Sequence, residues 1–303
     1  MVSQNCIERA REDGEPIDDG LIWETVELDD AIVQFPGEGN EWRMDKTEEV
    51  YSRLPEDAPY PEMDRVSNGS KEGLVYEKVG EGSLKDLERE LERLEEGTIE
   101  YDQKRHQYLD LVQPAGEALA NLHSGEGEGY GEPVINEWTE ERNYDSWKEY
   151  VQDQIESIED ETADSPFEEA TDRALDEFDI DNLPENPGPR VLHADYSSDN
   201  LMFEDGSVAV IDFDNAVYGD PDFGFVRSQF QLCDNEEEAE RFREGYESVR
   251  ELDMSDEMER NYKALAIAMN AKAGVWCAEN REDSGINISG WAEGLRNYAE
   301  NQL

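Results

Sequence analysis

The order of the secondary-structure patterns along the chain is the strongest constraint on its fold. Segments rich in β-branched and aromatic residues, typical of short strands, come first, at residues 21–28, 31–35 and 74–79. From Ser83 onward, helical patterns dominate. Strands followed by helices indicate an α+β chain, which we divide near Gly80.

The predicted helices are defined by the spacing of their apolar residues and by residues suited to cap them. Apolar residues recur at helical intervals at 42–54, 147–158, 167–178 and 264–276. Pro55 is placed to end the first of these helices. Ser83 and Thr98 are placed to cap the first turns of two further helices. We therefore expect a β-rich lobe at residues 1–79 and a mainly helical lobe at residues 80–303.

The acidic composition bears on partners and on habitat. Of 303 residues, 79 are Asp or Glu and 26 are Lys or Arg, which gives a formal net charge of −53. Such a surface repels phosphate backbones, so the composition excludes an ordinary nucleic-acid binder. The acidic residues are spread over nearly every predicted helix, and at about 1 M salt the screening length falls to roughly 3 Å. We expect a protein from an extreme halophile, adapted to molar salt.

Cysteine usage and apolar runs bear on location. Cys6, Cys233 and Cys277 are far apart and form no CxxC pair, which supports neither a disulfide framework nor a zinc site. The sequence shows no apolar leader pattern and no uninterrupted apolar run of membrane-spanning length. We expect a cytoplasmic protein with no membrane partner, and the sequence leaves its oligomeric state open.

A group of polar residues around two short apolar runs points to a particular chemistry. His193 and Asp195 directly follow an apolar pair. Asn200 comes five residues after Asp195, and Asp212 ends an apolar run that follows a tight Asp-Gly turn. A loop Asp can accept a proton from a hydroxyl group, and amide and carboxylate oxygens can hold Mg²⁺ on the phosphates of ATP. The hairpin between Asn200 and Asp212 brings both ends together, so the pattern indicates phosphoryl transfer.

The segment VLHADYSSDNLMFEDGSVAVIDFDNAVYGDP resembles the catalytic and metal-binding segment of the aminoglycoside phosphotransferase and choline kinase-like family. The resemblance implies a bilobal protein-kinase-like fold, with a small β-rich N-lobe and a larger, mainly helical C-lobe. It implies that Asp195 is the catalytic base and that His193 supports the catalytic loop. It also implies that Asn200 and Asp212 bind magnesium.

Further matches to the family add candidate residues. The stretch LVYEKVGEGSL resembles the hinge between the lobes, where the backbone of Glu77, Lys78 and Val79 would bind adenine. Asp214 either approaches the metal or faces solvent. Asp220, in the GDP motif, is expected to tie loops together by hydrogen bonds.

The sequence departs from the family pattern in its nucleotide-binding half. Gln34 stands where the family has a Lys that holds ATP phosphates, and a Gln supplies no positive charge. Arg43, Lys46 or extra cations would have to compensate. Glu48 and Glu49 are the candidates for the helix carboxylate that normally pairs with that Lys.

Other departures concern glycine positions. Before Trp23 no Gly-rich phosphate loop is visible, only an Asp-Asp-Gly sequence at 18–20. Gly224 aligns with an acidic residue of the family. The family's helix that ends in Leu-His is matched at His123, for which we expect a packing or capping role.

Two functions are consistent with these residues. The first is an ATP-dependent phosphotransferase that acts on a hydroxyl of a small molecule, with ATP and Mg²⁺ as cofactors, although the sequence does not separate ATP from GTP. The alternative is a non-catalytic, nucleotide- or ligand-binding relative, because Gln34 and the missing loop remove groups that transfer normally uses. The small-molecule acceptor is not identified. We expect its pocket to use the insertion at 138–147 and the C-terminal helices around Trp276 and Trp291.

Overall fold

A five-stranded antiparallel sheet, flanked by helices, forms the N-terminal part of the chain in the computed structural model, which describes residues 6–12, 14–19, 22–69, 71–281 and 286–303. Its elements are α1 (Cys6–Glu12), β1 (Glu15–Asp19), β2 (Trp23–Glu27), β3 (Ala31–Pro36), α2 (Trp42–Arg53), β4 (Met63–Asn68) and β5 (Lys71–Glu77). The strand order is β1-β2-β3-β5-β4, and neighbouring strands run antiparallel.

Side-chain alternation along β3 gives this sheet two different faces. Val33 is fully buried in one core with Ile7 of α1. Gln34 lies on the opposite face, next to its cross-strand partner Leu74. Leu74 packs with Met44 of α2 in a second, smaller core. The face that carries Gln34 is therefore the face turned toward α2.

Helices dominate the rest of the chain. They are α3 (Leu84–Arg93), α4 (Ile99–Leu122), α5 (Glu137–Glu140), α6 (Trp147–Thr162), α7 (Glu168–Glu177), α8 (Pro221–Leu232), α9 (Glu236–Val249), α10 (Asp256–Asn280) and α11 (Ile288–Gln302). Between them lie the short strands β6 (Gly82–Ser83), β7 (Tyr130–Gly131), β8 (Asn143–Tyr144), β9 (Arg190–Leu192), β10 (Leu201–Glu204), β11 (Ser207–Val210) and β12 (Val217–Gly219). These strands form two small antiparallel sheets, ordered β11-β10-β6 and β8-β7-β12-β9.

The predicted N-caps of two helices are confirmed. The Ser83 side chain accepts a hydrogen bond from the backbone N–H of Asp86 at the start of α3. The Thr98 side chain accepts one from the backbone N–H of Tyr101 at the start of α4. The apolar run predicted as a buried helix lies in α10. No described helix combines the length and the apolar character needed to cross a bilayer.

The helices α4 and α9 cross with their backbones in contact. A Cβ atom at Gly116 of α4 would lie 2.1 Å from the carbonyl oxygen of Phe242, and one at Gly245 of α9 would lie 2.0 Å from a carbonyl oxygen of α4. Such distances leave room for glycine alone. Next to this crossing, the hydroxyl of Tyr196 donates to the carbonyl of Ala115 over 2.7 Å, which anchors the loop after β9 to α4.

The sequence did not indicate α1, β1 or β4. The strands β1 and β4 are the two edges of the five-stranded sheet. In β4 only Val66 is buried, so its sequence lacks the alternation that marks a strand with one buried face. The hairpin of β2 and β3 was predicted correctly, although Leu21 of the predicted segment 21–28 lies outside the described residues.

Candidate active site

Hydrogen bonds tie the loop after β9 to the end of β11. Nε2 of His193 donates to the carbonyl oxygen of Ile211 over 2.8 Å, and the N–H of Ile211 donates to the carbonyl oxygen of Asn200 over 3.0 Å. His193 is 1% exposed, and this burial lowers the pKa of its imidazole. The neutral imidazole of His193, buried and hydrogen-bonded to a backbone carbonyl, therefore supports the loop and is not accessible to solvent.

Two residues of this region have a left-handed backbone. Ala194 and Asp212 each have φ of 63°, although neither is glycine. This conformation costs roughly 1–2 kcal/mol for a residue with a Cβ, and it persists where the surroundings impose it. Ala194 directly precedes Asp195, so both strained positions lie at carboxylates that the sequence singled out.

Asn200 is bound to the loop that carries Asp195. Its Nδ2 donates to the backbone carbonyl of Asp195 over 2.9 Å, and the residue is 9% exposed. This bond occupies the amide nitrogen and leaves the amide oxygen available as a ligand.

Asp212 and Asp214 bring two carboxylates to the same turn. Burial, followed by repulsion from Asp214 and Asp195, raises the pKa of Asp212 to about 6. Oδ1 of Asp214 is buried and has no hydrogen-bond partner among the described residues. A cation at this turn would relieve the repulsion and satisfy the buried oxygen.

The available donor atoms fit Mg²⁺. They are carboxylate oxygens of Asp212 and Asp214 and the amide oxygen of Asn200, which are hard ligands. Within the described residues, no group of three or more His, Cys, Asp and Glu side chains forms a complete metal site. Magnesium is usually held in proteins by one or two carboxylates together with substrate phosphates.

The helix α2 contributes a cation to this turn. Nη1 of Arg43 lies 2.6 Å from Oδ2 of Asp214. The guanidinium of Arg43 also offsets a small part of the rise in the pKa of Asp212. Tyr51, also of α2, packs edge-on against Phe213, with ring centroids 5.4 Å apart. The turn is thus held by α2 through one ion pair and one aromatic contact.

Lys46, the other cation expected to compensate for Gln34, has a different partner. Its Nζ lies 2.7 Å from Oε2 of Glu132, and the Lys46 side chain is 3% exposed. Of the two cations named from the sequence, Arg43 is therefore the one beside the carboxylates of the turn.

The candidate partners of the missing Lys contact other residues. Gln34 is half-buried on the face turned toward α2. Glu48 is exposed, and its carboxylate lies 2.7 Å from Nη1 of Arg65 on β4. Glu49 pairs with Arg53 at 2.8 Å. Both glutamates therefore form their ion pairs with arginines that do not belong to β3.

The predicted hinge has backbone groups without hydrogen-bond partners just beyond β5. β5 ends at Glu77, so Lys78 and Val79 lie beyond the strand, contrary to the predicted segment 74–79. The N–H of Glu77 donates to the carbonyl of Glu62 over 3.0 Å, and the Lys78 ammonium pairs with the carboxylate of Glu27. Among the described residues, the backbone of Val79 has no hydrogen-bond partner.

Asp220 and His123 have partners within the C-terminal helices. Oδ1 of Asp220 accepts a hydrogen bond from the N–H of Asp222 over 2.9 Å and caps α8, while Oδ2 accepts one from the hydroxyl of Tyr262. Nδ1 of His123 lies 2.7 Å from the hydroxyl of Tyr246. Burial, with help from two arginines, lowers the pKa of His123 to about 3. These contacts suit structural roles for both residues.

The glycine at position 224 is explained by its contact with His123. A Cβ atom at Gly224 would lie 2.8 Å from Cε1 of His123 and 2.7 Å from a methyl carbon of Leu192. The imidazole therefore occupies the space that an acidic side chain at position 224 would need.

A cavity of about 920 Å³ opens beside Asp195. Trp276 and Trp291 lie in its wall, as the sequence predicted, and Arg142 of the insertion lines it as well. Trp147 does not, because its ring is fully buried in the core. The insertion thus contributes to the pocket through its middle rather than its end.

Sequence reasoning missed Arg227 of α8, which also lines the cavity. The available signal was weak: a single cation within the otherwise largely apolar sequence PDFGFVRSQFQL. An isolated Arg on a helix is far more often a surface residue, so the pattern alone did not mark it.

Comparison with known proteins is consistent with this geometry. Residues 73–259, more than half of the chain, match the model of the phosphotransferase enzyme family, APH. No curated protein matches the sequence.

Solved structures share the fold at low sequence identity. The apo form of a thermostable mutant of aminoglycoside phosphotransferase APH(4)-Ia is 19% identical, with a TM-score of 0.63 and coverage of 98% of both chains. A ternary complex of such a mutant with ADP and hygromycin B is 18% identical, with a TM-score of 0.57 and coverage of 98% of this chain and 97% of that one. A choline/ethanolamine kinase family protein from Mesorhizobium loti is 14% identical, with a TM-score of 0.56 and coverage of 96% and 88%. These likenesses confirm the protein-kinase-like fold, and the family match shows that this chain belongs to the phosphotransferase enzyme family, as a small-molecule phosphotransferase.

Proposed function

We propose that this phosphotransferase moves the γ-phosphoryl group of ATP to a hydroxyl group of a small molecule, with Asp195 as the catalytic base. The observation that carries the proposal is the position of the Asp195 loop. Asp195 lines the cavity, and hydrogen bonds connect its loop to Asn200 and to Ile211, the residue before Asp212. The loop therefore joins a space for an acceptor to a set of metal-binding oxygens.

In the proposed reaction, the carboxylate of Asp195 accepts the proton of the acceptor hydroxyl. The hydroxyl oxygen forms a bond to the γ-phosphorus while the bond from that phosphorus to the β–γ bridging oxygen breaks, and ADP leaves. His193 keeps the loop in place through its bond to Ile211. A positioned general base of this kind contributes roughly 10²–10⁴-fold to a rate.

Asn200 and Asp212 would hold Mg²⁺ through their amide and carboxylate oxygens, with Asp214 as a further candidate. When bound, the ion neutralises charge on the phosphates of ATP. The buried Oδ1 of Asp214 and the raised pKa of Asp212 support a cation at this turn.

We assign nucleotide binding to the lobe of residues 1–79 and the acceptor site to residues 80–303. The free backbone groups of Val79 support adenine binding at the segment that also contains Glu77 and Lys78. The structural neighbour in complex with ADP supports nucleotide binding by this fold. Arg43 is the cation placed to compensate for Gln34, and catalysis is favoured over the non-catalytic alternative by the family match.

Calorimetry of ATP binding, with and without Mg²⁺, tests this proposal. Because the acidic composition suggests a cytoplasm of molar salt, the titrations use about 2 M KCl. We expect magnesium-dependent binding to the wild type and a loss of at least about tenfold in affinity in Asp212→Ala. Asp199→Ala is the matched control, since Asp199 is an exposed carboxylate in the turn just before β10, with the nearest cation, Arg89, 3.8 Å away. Absence of ATP binding by the folded wild type in both conditions would contradict the proposal.

A further inference from the structure

The cavity beside Asp195 has the size of a small-molecule site, at about 920 Å³. Part of its wall is aromatic and comes from α8, α10 and α11: Phe230, Trp276, Trp291 and Tyr298. The indole of Trp291 is held in place because its Nε1 donates to Oδ1 of Asn270 over 2.8 Å. Flat, fixed rings of this kind pack against the carbon skeleton of a hydroxylated compound.

The charges that line this cavity differ from those of the whole chain. Acidic residues outnumber Lys and Arg by 79 to 26 in the sequence. The cavity wall instead contains more arginines than carboxylates: Arg43, Arg142, Arg227 and Arg281 against Glu132, Asp195 and Asp234. The cavity wall is therefore richer in arginine, relative to carboxylates, than the chain as a whole.

Two of these charges are neutralised by residues of the protein itself. Arg43 is paired with Asp214 at 2.6 Å, and Glu132 is paired with Lys46 at 2.7 Å. Each therefore has little net charge to offer a ligand. Arg227 of α8, which is half-buried, is a further charged residue of this wall.

Arg227 lies near Asp195 and has no acidic partner of its own. No carboxylate oxygen of a described residue lies within 4.0 Å of its guanidinium, which instead contacts Sδ of Met269 at 3.7 Å. Burial lowers the pKa of Arg227, and Tyr150, followed by Asp195, opposes that shift electrostatically. A half-buried guanidinium that lines a cavity without a carboxylate partner leaves its hydrogen-bond donors available to an anionic ligand.

We infer that the acceptor is an anionic hydroxylated small molecule, whose carboxylate or phosphate group pairs with Arg227 while its hydroxyl reaches Asp195. This inference rests on the proposed phosphotransferase function and names its substrate class. A planar guanidinium binds either anion through two parallel hydrogen bonds. The acceptor class is opposite in charge to an aminoglycoside such as the hygromycin B bound in the structural neighbour, because Arg227 would repel ammonium groups.

Tryptophan fluorescence provides a direct binding test, since Trp276 and Trp291 line the cavity. The full-length protein in about 2 M KCl is titrated, without nucleotide, with four matched probes: glucuronate, glucose 6-phosphate, glucose and glucosamine. We expect saturable binding of at least one anion, and weaker binding of glucose and glucosamine. In Arg227→Gln the affinity for that anion falls by at least about tenfold. Arg227→Lys gives an intermediate loss, because Lys keeps the positive charge but not the paired N–H donors of the guanidinium.

Arg93→Gln is the matched control, because Arg93 is an exposed residue at the end of α3, outside the cavity wall. It should bind the probes as the wild type does, and thermal melts of all variants show whether they are folded. Tighter binding of glucosamine than of both anions, equal anion affinity in Arg227→Gln and Arg93→Gln, or no saturable anion binding by the wild type would each overturn the inference.

The anion titration also separates this inference from the proposed function. If an anion binds through Arg227 but MgATP does not bind, the phosphotransferase function fails and the anion site stands. If MgATP binds and neither anion does, the inference alone fails.

Discussion

Under the proposed function, the positive charge available to the nucleotide phosphates depends on Gln34 and Arg43. Gln34 lies on the sheet face turned toward α2, and Arg43 of α2 is already bound to Asp214. An Arg whose charge is partly neutralised by a carboxylate attracts phosphate less strongly than an unpaired cation does. We therefore expect the absence of a charge at position 34 to limit nucleotide affinity.

Replacing Gln34 with Lys tests this expectation. Gln34→Lys should raise the affinity for MgATP by at least about tenfold, because a charge-assisted hydrogen bond to phosphate contributes about 1.5–3 kcal/mol. Titration calorimetry in high salt measures the change. Thr25→Lys, which adds the same charge at the cross-strand neighbour of Gln34, is the control and should have a much smaller effect. A gain of similar size in both variants would point to a general electrostatic effect instead.

His123 makes a prediction about stability and pH. Its pKa is about 3 in the folded protein, because of burial, and about 6.5 in an unfolded chain. The folded state therefore binds fewer protons, and its stability falls as the pH drops below about 6.5. Between pH 7 and pH 5 this residue should cost about 2 kcal/mol of unfolding free energy.

Denaturant unfolding at the two pH values, in high salt, measures that cost. His123→Gln should lose about 2 kcal/mol less than the wild type on acidification. His106→Gln, at an exposed position on α4, should behave as the wild type does. An identical pH response in wild type and His123→Gln would show that His123 is protonated in the folded state.

At the scale of elements, the sequence predicted those features that depend on residues close together in the chain. Capping residues marked the starts of α3 and α4, and the segment from His193 to Asp212 predicted the loop and hairpin that hold the candidate site, because its residues are contiguous. The edge strand β4 was missed because only Val66 of it is buried, which leaves no pattern to read. The cavity was only partly predicted, since its wall combines residues as distant as Arg43 and Tyr298, which the fold alone brings together.

The crossing of α4 and α9 yields a stability prediction. Gly116→Ala should destabilise the protein by about 1–3 kcal/mol or more, because the new methyl group meets the carbonyl of Phe242 at 2.1 Å and the helices must separate. Gly294→Ala on α11 is the control: a Cβ there meets nothing within 4 Å, so the variant should be unchanged or more stable by about 0.5–1 kcal/mol. Thermal melts compare the two. Equal stability of both variants would mean that the helices are not in backbone contact.

At the scale of the whole molecule, charge is the dominant feature. With a net charge of −53, most cations are used in ion pairs, and many carboxylates are left without one. Self-repulsion of this size opposes the compact state, and a folded domain is stable by only about 5–15 kcal/mol. Dissolved salt must therefore contribute to stability by screening.

Thermal melts across KCl concentrations test that dependence. The melting temperature should rise steadily between about 0.1 M and about 3 M KCl, with loss of the folded state at the low end. Sucrose at matched osmolality is the control, because it does not screen charge, and it should not replace the salt. A cooperative melt whose midpoint does not depend on salt would refute the halophilic interpretation.

The central claim is that Asp195 is the base for phosphoryl transfer, and a comparison of transfer with binding tests it most directly. ATP consumption is followed by ³¹P NMR in about 2 M KCl, with a mixture of acidic, neutral and amino sugars as acceptors, for the wild type, Asp195→Asn and the control Asp199→Asn. We predict that the wild type and Asp199→Asn turn over, while Asp195→Asn loses about 10²–10⁴-fold in rate with its MgATP affinity unchanged. Turnover of Asp195→Asn at the wild-type rate would contradict the account.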